Sequence, residues 1–421
     1  MAWFESPEQN SDQSDAGTGI RSASRRSFLG AAANLLLGLV LAPMAERVMA
    51  GARTDELTLF LCGDVMTGRG VDQILPHPGD PRLYESYVKS ASGYVELAEK
   101  LNGPINKPVA FIYPWGDALG ELQRRRPDLR IINLETSVTR SDKALPKGIN
   151  YRMNPDNFPC ITAAGIDCCV LANNHVLDWG EAGLRESLDT IEQAGIAVAG
   201  AGRDRDAAAR PAILNLPGGG RVLVFAFGCE DSGVPREWAA AIRHPGVNVL
   251  PDLSRDSARK VAAEIQAVRK AGDVVVMSLH WGGNWGYAIP AEHRRFARAL
   301  IDADSADIVY GHSSHHPRPL EVYKGRLILY GCGDFLNDYE GIRGYESYRD
   351  DLVLMYLPVL CAGDGSLARL VMVPFQIRNI RLHRASARDA AWLAGVLDQE
   401  SRRFGVRVSL ETDNTLSLGW D

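Results

Sequence analysis

DVVVMSLHWG, residues 273–282, is the stretch from which the fold can be predicted. A run of β-branched and other apolar residues ends on His280, and glycines follow it. A continuous apolar run of this length is typical of a strand that is buried on both faces. The stretch therefore predicts a central strand of a covered sheet, with a histidine at the carboxyl end of the strand.

Apolar runs of the same kind recur along the chain, and helix-like segments separate several of them. Two such segments are EAGLRESLDTIEQAG, residues 181–195, and SARKVAAEIQAVRKAG, residues 257–272. This alternation predicts an α/β fold in which helices cover buried strands. The turn PGGG, residues 217–220, predicts a hairpin, so part of the sheet is expected to be antiparallel. The other runs are LTLFLCG (57–63), LRIINL (129–134), DCCVLA (167–172), VLVFAFG (222–228), DIVYG (307–311), LILYGCG (327–333), LVLMYLPV (352–359) and LVMVPFQI (370–377).

The domain organisation follows from the absence of any repeat or obvious linker between residues 51 and 377. We expect one large domain there. Residues 378–421 contain a helix-like segment, SARDAAWLAGVLDQESRRFG, followed by one short strand-like segment. We interpret this tail as an appendage to the large domain.

The first fifty residues have the composition of an export signal. The paired Arg25 and Arg26 precede an apolar run at residues 28–41, and VMA at residues 48–50 offers a small-residue cleavage site. This order predicts a twin-arginine signal over residues 1–50 and a periplasmic or extracellular protein. The alternative is a retained membrane anchor, although the run is shorter than the roughly 20 residues needed to span a bilayer.

Composition excludes several classes of function. The 421 residues include 46 Lys and Arg against 52 Asp and Glu, and the formal charge of −6 argues against a general nucleic-acid binder. The seven cysteines lack the spacing of a zinc site or of a disulfide framework, and we interpret them as core residues. The sequence has neither a G-x-S-x-G elbow nor a G-x-x-x-x-G-K-[ST] loop, which disfavours a serine hydrolase and a P-loop enzyme.

Polar and ionisable residues stand where the apolar runs end. In open α/β sheets, ligands bind beyond the carboxyl ends of the strands. Taken singly, Asp64 could be a helix cap and Glu135 a solvated strand end. The repetition of the pattern favours a metal-binding site instead. The residues concerned are Asp64, Glu135, Asn174 with His175, His280, His312 with His315, and Asp334.

Carboxylates, an amide and imidazoles form a ligand set that suits one or two divalent ions such as manganese, iron or zinc. Such ions can activate water for an in-line displacement, and an uncoordinated histidine can protonate the leaving group. Arg69 is a candidate for binding an anionic substrate, with a surface salt bridge as the alternative. Trp281 is a candidate wall of the substrate site, with packing of its own loop as the alternative.

A set of ordered motifs resembles the capsule-synthesis CapA family, also called the poly-gamma-glutamate synthesis family. The resemblance covers about residues 57–373. That family resembles a branch of the calcineurin-like metallophosphoesterases, which implies a four-layer β-sandwich flanked by α-helices. The motifs are GDVMTGRGVD (63–72), NLETSVT (133–139), LANNHVLDWG (171–180), LHWGGNWG (279–286), GHSSHHPRPLEVYKG (311–325) and LILYGCGDFLND (327–338).

The resemblance also implies a role for each site residue. His175, in the family's N-H pair, corresponds to the residue expected to act as the acid and not as a ligand. Apart from the resemblance, Arg69 is a candidate catalytic as well as substrate-binding residue, and Asp334 is a candidate substrate-binding residue that could instead restore a ligand or an acid. The implied metal ligands are Asp64 first, Glu135 as the bridging carboxylate, Asn174, His280, and the closing pair His312 and His315.

The sequence departs from the phosphoesterase pattern at the positions that would hold the metals. Met66 stands where the D-x-H motif has its histidine, and Glu135 replaces a shorter aspartate. Asn284 and Asp334 also differ from the residues that the family often has, and two residues separate His312 from His315 where the pattern has one. These departures leave the number of metals and ordinary phosphatase activity open.

Two hypotheses therefore stand. The first is an exported metal-dependent hydrolase acting on a phosphoester or on an amide bond of a surface polymer. The second is a non-catalytic factor that binds an anionic capsule polymer and helps its export. In both, we expect an association with a membrane-bound capsule synthesis machinery and no nucleic-acid partner.

Overall fold

A computed structural model describes residues 56–420 of the chain, apart from residue 218. The predicted export signal, residues 1–50, lies outside the described residues. Within the described part of the chain, no helix is long and apolar enough to cross a membrane. Residues 54–421 form one compact unit.

The strands run along the whole of this unit. They are β1 (Glu56–Cys62), β2 (Asp64–Val65), β3 (Leu129–Leu134), β4 (Ser137–Val138), β5 (Arg152–Met153), β6 (Cys168–Val170), β7 (Ala197–Ala199), β8 (Ala201–Gly202), β9 (Ala212–Asn215), β10 (Arg221–Gly228), β11 (Gly246–Val247), β12 (Val274–His280), β13 (Ile308–His312), β14 (Leu320–Tyr323), β15 (Arg326–Leu329), β16 (Asp334–Leu336), β17 (Leu352–Cys361), β18 (Leu367–Ile377), β19 (Leu382–Arg384), β20 (Val406–Leu410) and β21 (Leu416–Trp420).

The α-helices lie between strands, as the alternating pattern predicts. They are α1 (Gly70–Ile74), α2 (Ser92–Asn102), α3 (Asp117–Arg125), α4 (Pro159–Thr162), α5 (Gly180–Gln193), α6 (Arg205–Ala209), α7 (Arg255–Gln266), α8 (Ala291–Asp302) and α9 (Ala387–Ser401). The two segments used to predict helices correspond to α5 and α7.

The first sheet is mixed. Strand β3 pairs in parallel with β1, β2 and β6, and β6 continues to β7. On the other side of β1, the antiparallel strands β17 and β18 follow. Gly63 separates β1 from β2, and a Cβ at this position would lie 1.9 Å from the carbonyl oxygen of Gly333. Only glycine therefore lets the segment before Asp334 approach β2 closely enough for β16 to pair with it.

The second sheet has a parallel centre and antiparallel edges. Strands β10, β12, β13 and β15 are parallel, and the hairpin partners β9 and β14 flank them. The pairing of Asn215 with Arg221 confirms the hairpin predicted around the PGGG turn.

Side-chain alternation in the second sheet shows how the layers pack. Val222, Val224 and Val276 join the large cluster that contains the core of the first sheet. Their neighbours Leu223 and Val275 join a separate cluster with the apolar faces of α7 and α8. Because successive side chains point to opposite faces of a sheet, one face meets the other sheet and the opposite face meets helices. The predicted α/β sandwich flanked by helices is confirmed.

The C-terminal residues extend the first sheet. Strand β21 pairs with β18, β20 pairs with β21, and β19 pairs with β18. Leu393 of α9 and Val406 of β20 are buried in the main cluster. The predicted helix is present as α9, and two strands follow it where the sequence pattern suggested one.

The cysteines all lie within the described residues, and none of them forms a disulfide. Burial raises the pKa of Cys62, Cys168 and Cys229 well above the ordinary value, so these groups remain thiols. Their interpretation as small core residues agrees with this placement.

Candidate metal centre

The carboxyl ends of parallel strands from both sheets meet at one place. In the first sheet, Asp64 is in register with Asn133, two residues before Glu135. In the second sheet, the last residues of β12 and β13, His280 and His312, are direct neighbours. The residues that end the apolar runs are therefore brought together by the pairing of their strands.

Three of the predicted ligands form a compact buried group, which we call the trio: Asp64, His280 and His312. One ligand atom from each lies within 4.8 Å of the others. The Nδ1 atoms of His280 and His312 are 2.8 Å apart, and His312 Nδ1 is 3.9 Å from Asp64 Oδ1. One carboxylate and two imidazoles are a ligand set that manganese, iron and zinc all accept.

The electrostatics of the trio favour a cation. Burial lowers the pKa of His312 to about 3, and burial followed by the neighbouring His312 lowers the pKa of His280. Both rings are thus neutral, the form in which histidine binds metals. Burial and the Asp334 carboxylate raise the pKa of Asp64 to about 7, while burial and Asp64 raise the pKa of Glu135. Closely packed buried carboxyls of this kind are stabilised as anions by a bound cation.

Hydrogen bonds from neighbouring groups fix the trio in place. Ser278 Oγ lies 2.6 Å from His312 Nε2, which leaves Nδ1 of that ring to face the site. Asn133 Nδ2 donates to Asp64 Oδ1 at 2.8 Å and to Glu135 Oε2 at 3.1 Å. Such outer contacts orient metal ligands and tune their basicity. Asn133 was missed in the sequence, although its position two residues before Glu135 places both side chains on one face of the strand.

Glu135 and Asn174 adjoin the trio, as predicted. Asn174 Oδ1 is 3.2 Å from His280 Nε2, and Glu135 Oε1 is 3.8 Å from the same atom. Their oxygens are therefore close enough to extend the ligand set of a cation at the trio.

His175 lies beside Glu135 without joining the trio. Its Nδ1 is 2.7 Å from Asp178 Oδ2, and its Nε2 is 3.9 Å from Glu135 Oε1. Burial lowers the pKa of His175 to about 4, against the opposing effect of Asp178. An ionised carboxylate only accepts hydrogen bonds, so Asp178 fixes the proton on Nδ1 and leaves Nε2 free to exchange a proton with a substrate. Asp178 was also missed, and its spacing of three residues from His175 was the available signal.

His315 is held in a different pair. Its Nδ1 is 3.0 Å from Asp334 Oδ1, and its Nε2 is 3.0 Å from Asn284 Nδ2. Burial lowers the pKa of His315, but the Asp334 carboxylate outweighs it, so the pKa is raised overall. Asn337 Nδ2 donates to the second oxygen of Asp334 at 2.8 Å. The predicted ligand His315 thus has both ring nitrogens engaged by protein groups.

Met66 is buried among aromatic residues. The phenol of Tyr339 donates to Met66 Sδ at 3.5 Å, and the hydroxyls of Tyr151 and Tyr339 are 2.6 Å apart. A thioether and two phenols therefore occupy the surroundings where the phosphoesterase pattern has an imidazole ligand.

Arg69, predicted as a catalytic or substrate-binding residue, lies in a buried cluster with two carboxylates. Its side chain is buried, and its guanidinium donates to Glu85 Oε1 at 2.9 Å and to both oxygens of Asp338. The ring of Tyr94 stacks on the guanidinium at 3.8 Å. The donors that an anionic substrate would use are occupied by internal carboxylates, and these salt bridges are buried and not at the surface.

Trp281, predicted as a wall of the substrate site, is placed as in the alternative reading, packing of its own loop. Its side chain is 1% exposed, and its Nε1 donates to the carbonyl oxygen of Tyr330 at 3.0 Å. The indole stacks on His293, with ring centroids 4.5 Å apart and an interplanar angle of 8°. Trp281 is a packing residue beneath the His280 loop.

A cavity of about 230 Å³ opens beside the trio. His175, Glu135 and Lys147 lie in its wall. The remaining lining residues are Ile149, Tyr151, Asn174, Asn284, Ser313, His315 and Tyr339. A reacting group in this cavity would therefore contact the predicted acid and those predicted ligands that line it, Glu135, Asn174 and His315, whereas the trio itself does not line the cavity.

An α/β sandwich with carboxylate, amide and imidazole groups at the meeting strand ends defines a protein with a candidate metal centre. Residues 58–339 match the family described as bacterial capsule synthesis protein PGA_cap. The chain belongs to this family, and the resemblance drawn from the motifs is confirmed.

Individual proteins resemble the chain over most of its length. It is 49% identical over 372 residues to a protein of Mycobacterium tuberculosis named "probable polyglutamine synthesis accessory protein", covering 88% of this chain and 97% of the relative. It is 23% identical to the capsule biosynthesis protein CapA of Bacillus anthracis, over 81% of this chain and 74% of the relative. A crystal structure of a novel phosphatase from Mycoplasma pneumoniae aligns with a TM-score of 0.39 and 11% identity, over 76% of this chain and 93% of that one.

Proposed function

We propose that the protein is an exported metal-dependent hydrolase of the phosphoesterase type, acting in the synthesis of capsule or poly-gamma-glutamate. The observation that carries the proposal is the buried trio of Asp64, His280 and His312 with its ligand atoms within 4.8 Å. Membership of the capsule synthesis family supplies the biological process. A phosphoester or an amide of an anionic surface polymer is the substrate that this combination favours.

The chain's own residues would divide the work of such a reaction. Asn174 and Glu135 extend the trio and orient what binds there. His175, with its proton held on Nδ1 by Asp178, presents an unprotonated Nε2 to the cavity. Once Nε2 has taken a proton from water, the ring can pass that proton to a leaving group. A divalent ion held by the trio would supply Lewis-acid activation of water and of the bond to be cleaved.

Export and partners form a further part of the proposal. The paired Arg25 and Arg26 before an apolar run support transport by the twin-arginine route to the periplasm or cell surface. There the protein would work beside a membrane-bound capsule synthesis machinery. Replacing both arginines with lysine is expected to keep the protein in the cytoplasmic fraction, as cell fractionation would show.

A second candidate function is favoured by the surroundings of Met66. Its thioether and the bonded pair His315–Asp334 stand where a second metal would need ligands. A protein with only one metal position, or with none filled, could bind an anionic polymer without cleaving it. Polymer binding unaffected by His280→Ala would support this candidate over hydrolysis.

The test of the proposed function is metal content, measured by mass spectrometry on the purified protein lacking residues 1–50. We expect one or two equivalents of manganese, iron or zinc, and their loss in the double variant Glu135→Ala with His280→Ala. A matched control is Glu181→Ala with His244→Ala, which removes an exposed pair of the same residue types. Hydrolysis of p-nitrophenyl phosphate and of a γ-glutamyl amide would then be screened.

A protein that stays free of metal even after reconstitution would contradict the hydrolase proposal. Equal metal content in the site variant and the control would contradict the assignment of the trio.

A further inference from the structure

The cavity beside the trio has a cation in its wall that no motif pointed to. Lys147 lies in the loop between β4 and β5, and its side chain is 25% exposed. It lines the cavity together with His175 and Glu135. Its position makes it the candidate for contact with the charge of an anionic substrate.

The protein's own hydrogen bonds occupy two of the three Lys147 donors. Nζ donates to Asp178 Oδ1 at 2.7 Å and to the carbonyl oxygen of Asn174. His175 Nδ1 is 3.4 Å from Nζ, but that nitrogen carries the proton that it shares with Asp178 Oδ2. It therefore cannot accept from an ammonium group, and the third N–H has no hydrogen-bond acceptor among the described residues. Nζ lies 5.2 Å from the ring centroid of Trp238, and Lys147 lines the cavity, so this N–H is available to an anion there.

The bonds to Asp178 and Asn174 also hold the ammonium in one place. An exposed lysine must lose much of its rotational freedom when it binds an anion. Lys147 has already lost that freedom, because its end is fixed by residues that themselves belong to the site. An anion in the cavity thus meets a preorganised donor next to His175.

The size of the cavity limits what can enter. Sites for drug-sized molecules are about 300–1,000 Å³, and this cavity is about 230 Å³. Tyr151 and Tyr339, joined through their hydroxyls, form part of its wall. The space suits one anionic unit and not a stretch of polymer passing through.

We infer that Lys147 binds the anionic group of the substrate and that the cavity accepts one anionic unit at a time, so that a polymer enters by its end. The inference rests on the proposed function, because it takes the cavity beside the trio as the substrate site. The shared chemistry is an oxyanion, and it can be a phosphate or a carboxylate.

The test is isothermal titration calorimetry of the purified protein with three probes: inorganic phosphate, tri-γ-glutamate and long poly-γ-glutamate. Wild type is expected to bind phosphate or the tripeptide with one molecule per protein. Lys147→Met should bind that probe about tenfold to hundredfold more weakly, the loss expected for a hydrogen bond to a charged group. Lys147→Arg should recover part of the affinity because it restores the charge.

Lys143→Met is the matched control, since Lys143 is an exposed lysine of the same loop and lies outside the cavity wall. It should bind like wild type, and thermal unfolding of every variant would exclude a folding defect. Equal binding by wild type and Lys147→Met would overturn the role of Lys147, as would the absence of wild-type binding to both small probes. Binding of many protein molecules along each long chain would overturn entry by the end.

Calorimetry needs no turnover, so the two proposals fail separately. If anion binding depends on Lys147 but the protein has no hydrolytic activity, the hydrolase proposal is contradicted and the role of Lys147 is supported. If the protein turns over a substrate and Lys147→Met has the same KM as wild type, the hydrolase proposal is supported and the role of Lys147 is contradicted.

Discussion

The two halves of the candidate site use the same residue types in opposite ways. In the His280–His312 half, two neutral imidazoles turn their Nδ1 atoms toward each other, next to Asp64. In the His315–Asp334 half, the imidazole is bonded to a carboxylate on one side and to Asn284 on the other. In the first half, the close contacts of both rings are to neutral groups, so a cation can replace such a contact without breaking an ion pair. In the second half, a cation would have to displace His315 from the Asp334 carboxylate. The comparison shows that the partner of a histidine ring decides whether the ring is available as a metal ligand.

The largest expected effect is a difference in metal content between a variant of the first half and a variant of the second half. His280→Ala should abolish tight binding, because it leaves one carboxylate and one imidazole of the trio. His315→Ala should retain the metal with little change, because its ring nitrogens are engaged by Asp334 and Asn284. Metal content after dialysis against a weak chelator checks both. Equal loss of metal in the two variants would show that the halves form one two-metal centre.

The next effect concerns the buried ion-pair cluster of Arg69, Glu85 and Asp338, the last of which follows Asp334 and Asn337 in the chain. Arg69→Met leaves Glu85 and Asp338 buried without a cation, and we expect it to lower the free energy of unfolding by about 3–5 kcal/mol. Arg82→Met removes an exposed pair with Asp80 and should cost less than about 1 kcal/mol.

Urea unfolding followed by circular dichroism measures both changes. If Arg69→Met is too unstable to purify, Arg69→Lys, which keeps the charge, should show a smaller loss in the same assay. Equal stability of Arg69→Met and Arg82→Met would contradict a structural role for the buried arginine.

The smallest expected effect is a change in metal affinity when the hydrogen-bond partner of His312 is removed. Ser278→Ala removes the contact to His312 Nε2, and we expect metal affinity to fall about 10- to 100-fold while the fold is kept. Competition with a chromogenic chelator measures the affinity. Ser257→Ala, which removes a serine hydroxyl from the start of α7, is the control and should leave it unchanged. An unchanged affinity in Ser278→Ala would mean that packing alone orients His312.

The sequence predicts the position of site residues well where the prediction depends only on the end of an apolar run. Parallel strands end at a common edge, so the residues after each apolar run, such as Asp64, His280 and His312, could be predicted to meet. Asn133 was within reach of the same reasoning, because a strand repeats every two residues. The order of the strands in each sheet was not predictable, since it depends on pairings between distant segments.

Prediction was weakest where a residue's role depends on a distant partner. Arg69 was predicted to bind substrate because it lies close behind Asp64 and its fork of donors suits an anion. In the structure, Glu85 and, 269 residues away, Asp338 occupy those donors. Lys147 was overlooked for the complementary reason, because it becomes part of the site only through the folding of its loop against Asp178 and Asn174.

The absence of disulfides among the seven cysteines affects how the protein responds to redox conditions. Because no disulfide links distant parts of the chain, its native state does not depend on the redox potential of the surrounding solution. The same fold should form with or without a reductant, and thiol reagents should label the six buried cysteines of the folded protein slowly, with the partly exposed Cys361 as the exception. A protein built in this way can pass between reducing and oxidising surroundings with its architecture unchanged.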